Sequence, residues 1–248
     1  MLKNTIILII LYLFKTPFVS AQTFTDTSGN VKSTAHFQLT VISQDHLAFK
    51  APYNGKNSLS NQAEWGATSI TSTLFLGRKL WKGGAFYFDP EISGGSGLGS
   101  SLGVAGALNG ETYRVGETGP SVFIARAYFQ QEIPLSKASY ENIQDDVNQI
   151  KEKAASDRIT ISAGKFAISD FYDDNVYSHD PRTQFLNWSL MSNGAWDYPA
   201  NTRGYTFGIV SELIKNNWAI RISTVAVPAI ANSAKMEYHI SKAHAGGG

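Results

Sequence analysis

Apolar and polar residues alternate along most of this chain with a period of two, which is typical of β-strands that have two different faces. From Ala35 to Val41, Phe37, Leu39 and Val41 lie on one face, and polar residues lie on the other. Similar alternation marks 85–93, 121–132, 158–164, 203–212 and 218–225, with a less regular strand from Thr68 to Trp81 and an eighth from Lys235. The sequence therefore predicts an all-β, antiparallel fold of seven or eight strands.

The lengths of the connections narrow this prediction. Lys82–Gly84 and Lys215–Asn217 are tight turns, whereas 43–66, 94–120 and 170–202 are long. Barrels of the outer membrane have short turns on one side and long loops on the other, and all three long segments fall on the same side here. The segment 136–157 is the exception on the turn side. Its Ile143, Val147, Ile150 and Ala154 keep helical spacing and predict a short helix.

The N-terminus predicts export. Lys3 precedes an apolar run from Thr5 to Phe14, and the small residues that end at Ala21 resemble a cleavage site, so residues 1–21 are predicted to be a signal peptide and 22–248 the β-domain. Lys15 and Pro17 end the apolar run too early for the alternative, a membrane-anchoring helix. After residue 22 no apolar run is long enough to span a membrane as a helix, which excludes a helical membrane protein.

The composition agrees with a barrel wall. Charged residues make up only 17%, aromatic residues reach 12%, and there are 22 glycines and no cysteine, so strand pairing and burial alone must hold the fold. Without Lys3 and Lys15 of the signal, 19 basic residues face 20 acidic ones, and nothing indicates a nucleic-acid partner. A soluble β-sandwich also alternates, and periodicity alone does not tell which face points outward.

Candidates for catalysis or metal binding are weak. Gly99–Gly103 matches the G-x-S-x-G pattern with Ser101 as a nucleophile, but it lies in a Gly- and Ser-rich stretch with no clear helix after it. Four aspartates could offer oxygen ligands to Ca²⁺ without the spacing of an EF-hand, and a solvated loop is the simpler interpretation: Asp170, Asp173, Asp174 and Asp180. The five histidines lack metal-ligand spacing. We therefore predict no catalytic residue, no cofactor and no metal.

A transport interpretation gives the polar strand faces a purpose. Charged and aromatic side chains opposite the apolar faces would line a water-filled lumen: Asp89, Glu91, Arg126, Tyr128, Glu132 and Arg221. Carboxylate and guanidinium groups hydrogen-bond sugar hydroxyls, and aromatic rings pack against the C–H faces, so this lining would bind sugars weakly. The alternative is that these charges only pair with one another across the lumen.

Longer motifs identify a family. They are Phe166–Asp174, Asp180–Trp188, Asn193–Pro199, Arg203–Tyr205 and Asn109–Arg114. Together they resemble the carbohydrate-selective porins of the OprB type, over about residues 34–241. The resemblance implies a sixteen-stranded barrel in the outer membrane of a Gram-negative bacterium, with sugars as permeants and with lipids and the barrel-assembly machinery as partners. It also implies that Tyr113 and Arg114 lie in an infolded second loop, and Trp188 and Trp196 in the third.

This resemblance covers about the first half of such a porin. The chain ends on Ala243–Gly248 instead of a strand with a terminal aromatic residue, so a partial, incompletely closed barrel is expected. An alternative function remains open at this stage. It is a non-transporting glycan-binding β-protein of the outer membrane or periplasm that uses Trp188 and Trp196. The oligomeric state is left open.

Overall fold

Strands account for nearly all of the regular structure. The computed structural model describes residues 18–25, 31–112, 119–173, 175–192, 198–230, 233–239 and 241. In chain order the strands are β1 Phe18–Thr25, β2 Val31–His46, β3 Glu64–Trp81, β4 Gly84–Gly95, β5 Ser121–Pro134, β6 Tyr140–Ile143, β7 Glu152–Ala155, β8 Arg158–Phe166, β9 Thr206–Lys215, β10 Trp218–Val225, β11 Val227–Pro228 and β12 Met236–Glu237. Short 3-10 turns occur at Leu98–Ser101, Ala105–Leu108 and Ile168–Asp170.

Eight of these strands form one antiparallel sheet. Its order is β1-β2-β3-β4-β5-β8-β9-β10, so that strands adjacent in the sheet follow one another in the chain, apart from the β6–β7 hairpin between β5 and β8. The sheet is open in the described part of the chain, with β1 and β10 at its edges. All seven strands predicted from Ala35 to Val225 are confirmed. The tight turns lie at one end of the sheet, which we call the turn end, and the long connections lie at the other, the loop end.

The polarity of the two faces is the reverse of that in a soluble sheet. One face, which we call the inner face, buries mainly polar side chains, among them Thr34, His36, Thr73, Asp89 and Ser162. The opposite, outer face exposes apolar ones, among them Ile70, Val122, Phe129, Ile220 and Ile222. Val122 is 74% exposed, whereas Thr73 and Asp89 are 0% exposed. A wall of this kind suits an apolar surrounding on its outer face and a polar interior.

A β-bulge corrects the predicted faces of β5. Asp89 pairs with Arg126 but the next residue, Pro90, pairs with Ile124, so Ala125 is an extra residue in the ladder. The bulge inverts the alternation beyond it, because the side-chain period is two. The alternation of 121–132 predicts Phe123 and Ala125 on the same apolar face as Ala127 and Phe129, but beyond the bulge they turn inward and pack with Tyr205 and Ala167. The alternation of 203–212 predicts Tyr205 on the apolar face with Phe207 and Ile209, but Tyr205 precedes β9 and is buried.

The predicted helix in 136–157 is wrong. β6 and β7 form a hairpin in this segment, with Tyr140 opposite Ala155 and Ile143 opposite Glu152. An isolated helix of this length is marginal in water. The hairpin instead satisfies backbone groups by pairing and buries Ile150, which is 1% exposed, against the inner face of the sheet.

The two ends of the chain also depart from expectation. The eighth strand predicted from Lys235 is reduced to Met236–Glu237, which pairs with Val227–Pro228 outside the main sheet. The eighth strand of the sheet is instead β1, in which Ala21 pairs with His36, so β1 spans the predicted cleavage site after Ala21. Within the described residues, no helix has the length and apolar character needed to cross a membrane.

Candidate functional site

A polar cleft of about 560 Å³ lies on the inner face of the sheet. Four parts of the chain line it: inward-facing positions of β2 to β5, β9 and β10, the segment 167–171 that follows β8, the loop-end segments around 110 and 179–205, and the tip of the β6–β7 hairpin. The charged and aromatic lining residues are Phe75, Glu91, Glu111, Phe123, Arg126, Tyr128, Asp170, Phe171, His179, Asp180, Arg182, Trp188, Tyr198, Arg203, Tyr205, Glu212 and Arg221.

Arg182 is the centre of the first cluster in the cleft. Its Nε donates to Glu111 Oε2 at 2.9 Å, and its Nη2 donates to Glu91 Oε2 at 3.1 Å. Nη1 donates to Gln38 Oε1 at 3.0 Å and to Thr73 Oγ1 at 3.2 Å. One guanidinium of the third loop thus connects the second loop with β2, β3 and β4, using donors whose planar arrangement suits several acceptors at once.

Burial shapes the protonation of this cluster. It raises the pKa of Glu111; Arg182 opposes the shift, and the nearby carboxylates of Glu91 and Asp180 add to it. Burial alone would lower the pKa of Arg182, but Glu111 and Glu91 raise it above its usual value. Arg182 therefore stays cationic at any physiological pH, and Glu111 is the member of the pair that takes up a proton.

Arg126 is the centre of the second cluster. Its Nε and Nη2 donate to Asp170 Oδ2 and Oδ1, both at 2.7 Å, which is a bidentate pair. Its Nη1 lies 3.4 Å from Asp89 Oδ2, and Asn148 of the hairpin donates to the same oxygen at 3.0 Å. The Ala167 amide also donates to Asp170. This cluster ties β5 to the start of the third loop and to the hairpin.

Aromatic rings lie beside the cationic groups. Arg126 lies over the Tyr205 ring at 5.5 Å from its centroid, and the Tyr205 hydroxyl donates to Glu91 Oε2 at 3.5 Å. Arg203 stacks on Phe123 at 3.9 Å and donates to two serine hydroxyls of β4 and β5. The cleft thus combines fixed charges and hydroxyls with ring faces, a set that hydrogen-bonds polyhydroxylated molecules and packs against their C–H groups.

Comparison with known families agrees with this chemistry. The family model of the carbohydrate-selective porin, OprB family, matches residues 57–247, more than three quarters of the chain. The chain belongs to this family. Carbohydrate-selective porins are transport channels of the outer membrane and not enzymes, and the all-β wall with its polar inner face is the architecture that such a channel requires. No curated protein and no solved structure matches the chain.

Seven predicted lumen residues of the porin lie within the described chain. Glu91, Arg126, Tyr128, Trp188 and Arg221 line the cleft. Asp89 is fully buried behind Arg126. Arg221 pairs with Glu212 across β9 and β10, at 2.7 Å.

The remaining predicted residues lie elsewhere. Glu132 faces Arg158 at 3.6 Å near the base of the hairpin and is not among the residues that line the cleft. Tyr113, Arg114 and Trp196 fall outside the described residues.

Several residues at the centre of the cleft were not among the predicted lumen residues. Arg182, Glu111 and Tyr205 lie in or next to loops, where no periodicity marks a face. Asp170, considered above as a calcium ligand, is the partner of Arg126. The signals that pointed to this region were the family motifs Asp180–Trp188, Asn109–Arg114 and Arg203–Tyr205, in which Arg182, Glu111 and Tyr205 lie.

The weaker candidates from the sequence have local structural explanations. Ser101 Oγ accepts a hydrogen bond from the Gly97 amide at 2.6 Å, inside a left-handed turn that includes Gly99 and Ser100. A nucleophile elbow needs a following α-helix, and a second 3-10 turn follows here. Asp180 accepts a hydrogen bond from the Arg182 amide, and Asp174 lies outside the described residues.

Proposed function

We propose that this porin lets neutral carbohydrates diffuse across the outer membrane and that the cleft forms part of the channel wall. The observation that carries the proposal is the reversed polarity of the sheet, with paired charges and hydroxyls on the inner face and aliphatic side chains on the outer face. An apolar outer face lowers the free energy of the wall in lipid, and a polar inner face stays hydrated.

Paired charges suit a neutral permeant. Arg182 is balanced by Glu91 and Glu111, and Arg126 by Asp170 and Asp89, so the wall carries strong dipoles without a large net field. Such groups hydrogen-bond hydroxyls transiently, while the bound sugar leaves the ion pairs intact. Binding therefore stays weak enough for the sugar to leave, which conduction requires.

The outer membrane and its assembly route belong to the same proposal. Residues 1–21 direct export, the outer face contacts lipid, and the barrel-assembly machinery inserts the chain. The edges β1 and β10 pair with further strands of a larger, sixteen-stranded wall, because unpaired backbone groups are unfavourable in lipid. Cleavage after Ala21 would leave Gln22–Thr25 of β1 paired with β2.

Sugar block of single-channel current tests the proposal. The full-length porin, purified from outer membranes and inserted into a planar bilayer, should conduct ions, and added maltose or maltotriose should reduce the current. Trp188→Ala should weaken this block about 3- to 10-fold, since aromatic packing contributes about 0.5–1.5 kcal/mol. Trp218→Ala is the matched control, because Trp218 lies on the outer face of β10 and is 51% exposed.

Two outcomes count against a channel. Absence of conductance from correctly inserted protein would overturn the proposal. A water-soluble product that binds sugars saturably without conducting would favour the glycan-binding alternative. Equal loss of sugar block in both tryptophan variants would remove Trp188 from the permeation path.

A further inference from the structure

The β6–β7 hairpin is longer than its connection requires. Pro134 of β5 pairs directly with Arg158 of β8, so a turn of a few residues would join these antiparallel neighbours. The other two connections of the described chain at the turn end, Lys82–Gly83 and Asn216–Asn217, are two-residue turns of this kind. The chain instead inserts a complete hairpin here, which calls for a physical role.

The hairpin folds over the inner face of the sheet and not away from it. Ile150 packs in a cluster with Tyr87, Tyr128 and Phe166, all of which point inward from β4, β5 and β8. Its side chain lies directly over Gly77 of β3, where a Cβ atom would come within 3.0 Å of it. Burial of an isoleucine side chain stabilises the folded state, so Ile150 anchors the hairpin to the wall.

Polar contacts hold the hairpin on both sides of this anchor. Lys79 of β3 pairs with Glu152 at 2.9 Å and donates to the Lys151 carbonyl at 3.1 Å. Asp145 lies 3.2 Å from His36 Nε2 on the inner face of β2. Together with Ile150, these contacts fix the hairpin to β2, β3 and β4 at their turn end.

The tip of the hairpin, Asp146–Gln149, reaches the cleft. Its chain reverses through paired backbone hydrogen bonds between Asp146 and Gln149, with Asn148 in the left-handed region at φ 54°. Val147, Asn148 and Gln149 line the cleft, and Asn148 donates to Asp89. The tip thus places an aliphatic group and two neutral amides on the permeation side of the wall.

We propose that the hairpin tip is a fixed constriction of the channel on the turn side and that it sets the size limit for the carbohydrate. This inference rests on the proposed function, since it names the determinant of size within the same channel. The tip selects by width and not by charge, because the tip residues that line the cleft are Val147, Asn148 and Gln149, while the charged clusters lie on the strands and on the second and third loops. A wider tip should admit longer saccharides.

Cysteine labelling tests the position of the tip. The chain has no cysteine, so Val147→Cys introduces a single thiol at a side chain that is 44% exposed in the cleft. A trimethylammonium methanethiosulfonate should reduce single-channel conductance by about half or more, because it adds a bulky cation at a narrow point. The matched control is Asn217→Cys, at an exposed turn on the same end of the sheet. Labelling there should leave the conductance unchanged.

Size selection is tested by substitutions alone, without a labelling reagent. Liposome-swelling rates for maltotriose relative to glucose should rise about 2-fold or more in Val147→Ala and fall by a similar factor in Val147→Trp. If wild-type porin conducts but neither labelling nor these substitutions alters conductance or the swelling ratio, the tip lies outside the permeation path and the inference is wrong. If wild-type porin does not conduct at all, the proposed function fails instead.

Discussion

Replacing Arg182 by methionine tests whether the buried ion cluster holds the third loop against the wall. The side chain of Arg182 is 13% exposed, and those of Glu91 and Glu111 are 6% and 9% exposed. Arg182→Met removes four hydrogen bonds and leaves both carboxylates buried without their cation. Removing one partner of a buried ion pair lowers the free energy of unfolding by about 3–5 kcal/mol, and we expect a loss in that range near pH 8.

The loss should shrink as the pH falls. Burial already raises the pKa of Glu111 in the wild-type porin, and without Arg182 that pKa rises further. A carboxyl group whose pKa is raised in the folded state destabilises that state as the pH rises from the unfolded-state pKa to the raised one. The free energy of unfolding falls by about 1.4 kcal/mol for each pH unit within this interval. The difference in unfolding free energy between Arg182→Met and wild type should therefore be smallest at pH 5 and largest near pH 8.

Urea unfolding in detergent micelles, followed by tryptophan fluorescence at both pH values, measures this difference. Amide hydrogen exchange in 176–192 should accelerate in the same variant, because Arg182 fixes this loop segment to the sheet. Arg78→Met is the matched control, since Arg78 is exposed and its guanidinium donates to Ser33 Oγ at 3.2 Å. The reasoning is refuted if Arg182→Met loses no more stability than Arg78→Met, or if its deficit grows towards acid pH.

Three further substitutions address the second cluster and the backbone. Asp170→Asn removes a cleft carboxylate from Arg126 and should shift the reversal potential under a KCl gradient towards anion selectivity; an unchanged potential would place this pair off the ion path. Gly164→Ala should lower the free energy of unfolding by about 2–3 kcal/mol, because Gly164 has a φ of 141° and the new Cβ would lie 2.4 Å from the Ala127 carbonyl oxygen. An unchanged free energy of unfolding in urea titration would contradict the β5–β8 register. Ser100→Gly should raise the same free energy by about 0.5–1 kcal/mol by relieving a left-handed φ of 56°, and a loss of stability would show that its hydroxyl matters more.

The strands of the wall could be predicted because each carries its own evidence. Alternation in 85–93 or 218–225 is a local property, and both segments are strands in the structure. The face beyond a bulge could not be predicted in the same way, since one extra residue at Ala125 inverts it. Pro90 was the available signal: a proline inside a central strand lacks an N–H to donate and is tolerated at bulges.

The cleft could be predicted only in part, because alternation assigns a face to residues in strands but not to residues in loops. Asp89, Glu91 and Arg126 lie on strands, so their period gives their face. Arg182 lies in a loop, and its position depends on packing against four other segments, which no pattern near Arg182 encodes. A helix was predicted for the hairpin because Ile150 and Ala154 fit a helical period. The same residues also fit a hairpin that folds back onto the sheet.

The sequence separations of the Arg182 contacts have a consequence for the order of assembly. Neighbouring strands of the wall follow one another in the chain and can pair progressively, with short loop closures. Arg182, in contrast, meets Glu91 across 91 residues and Gln38 across 144. We therefore expect the interior to form after the wall, with its carboxylates hydrated until the third loop docks. Substitutions at Arg182 should accelerate unfolding while leaving the rate of strand pairing unchanged.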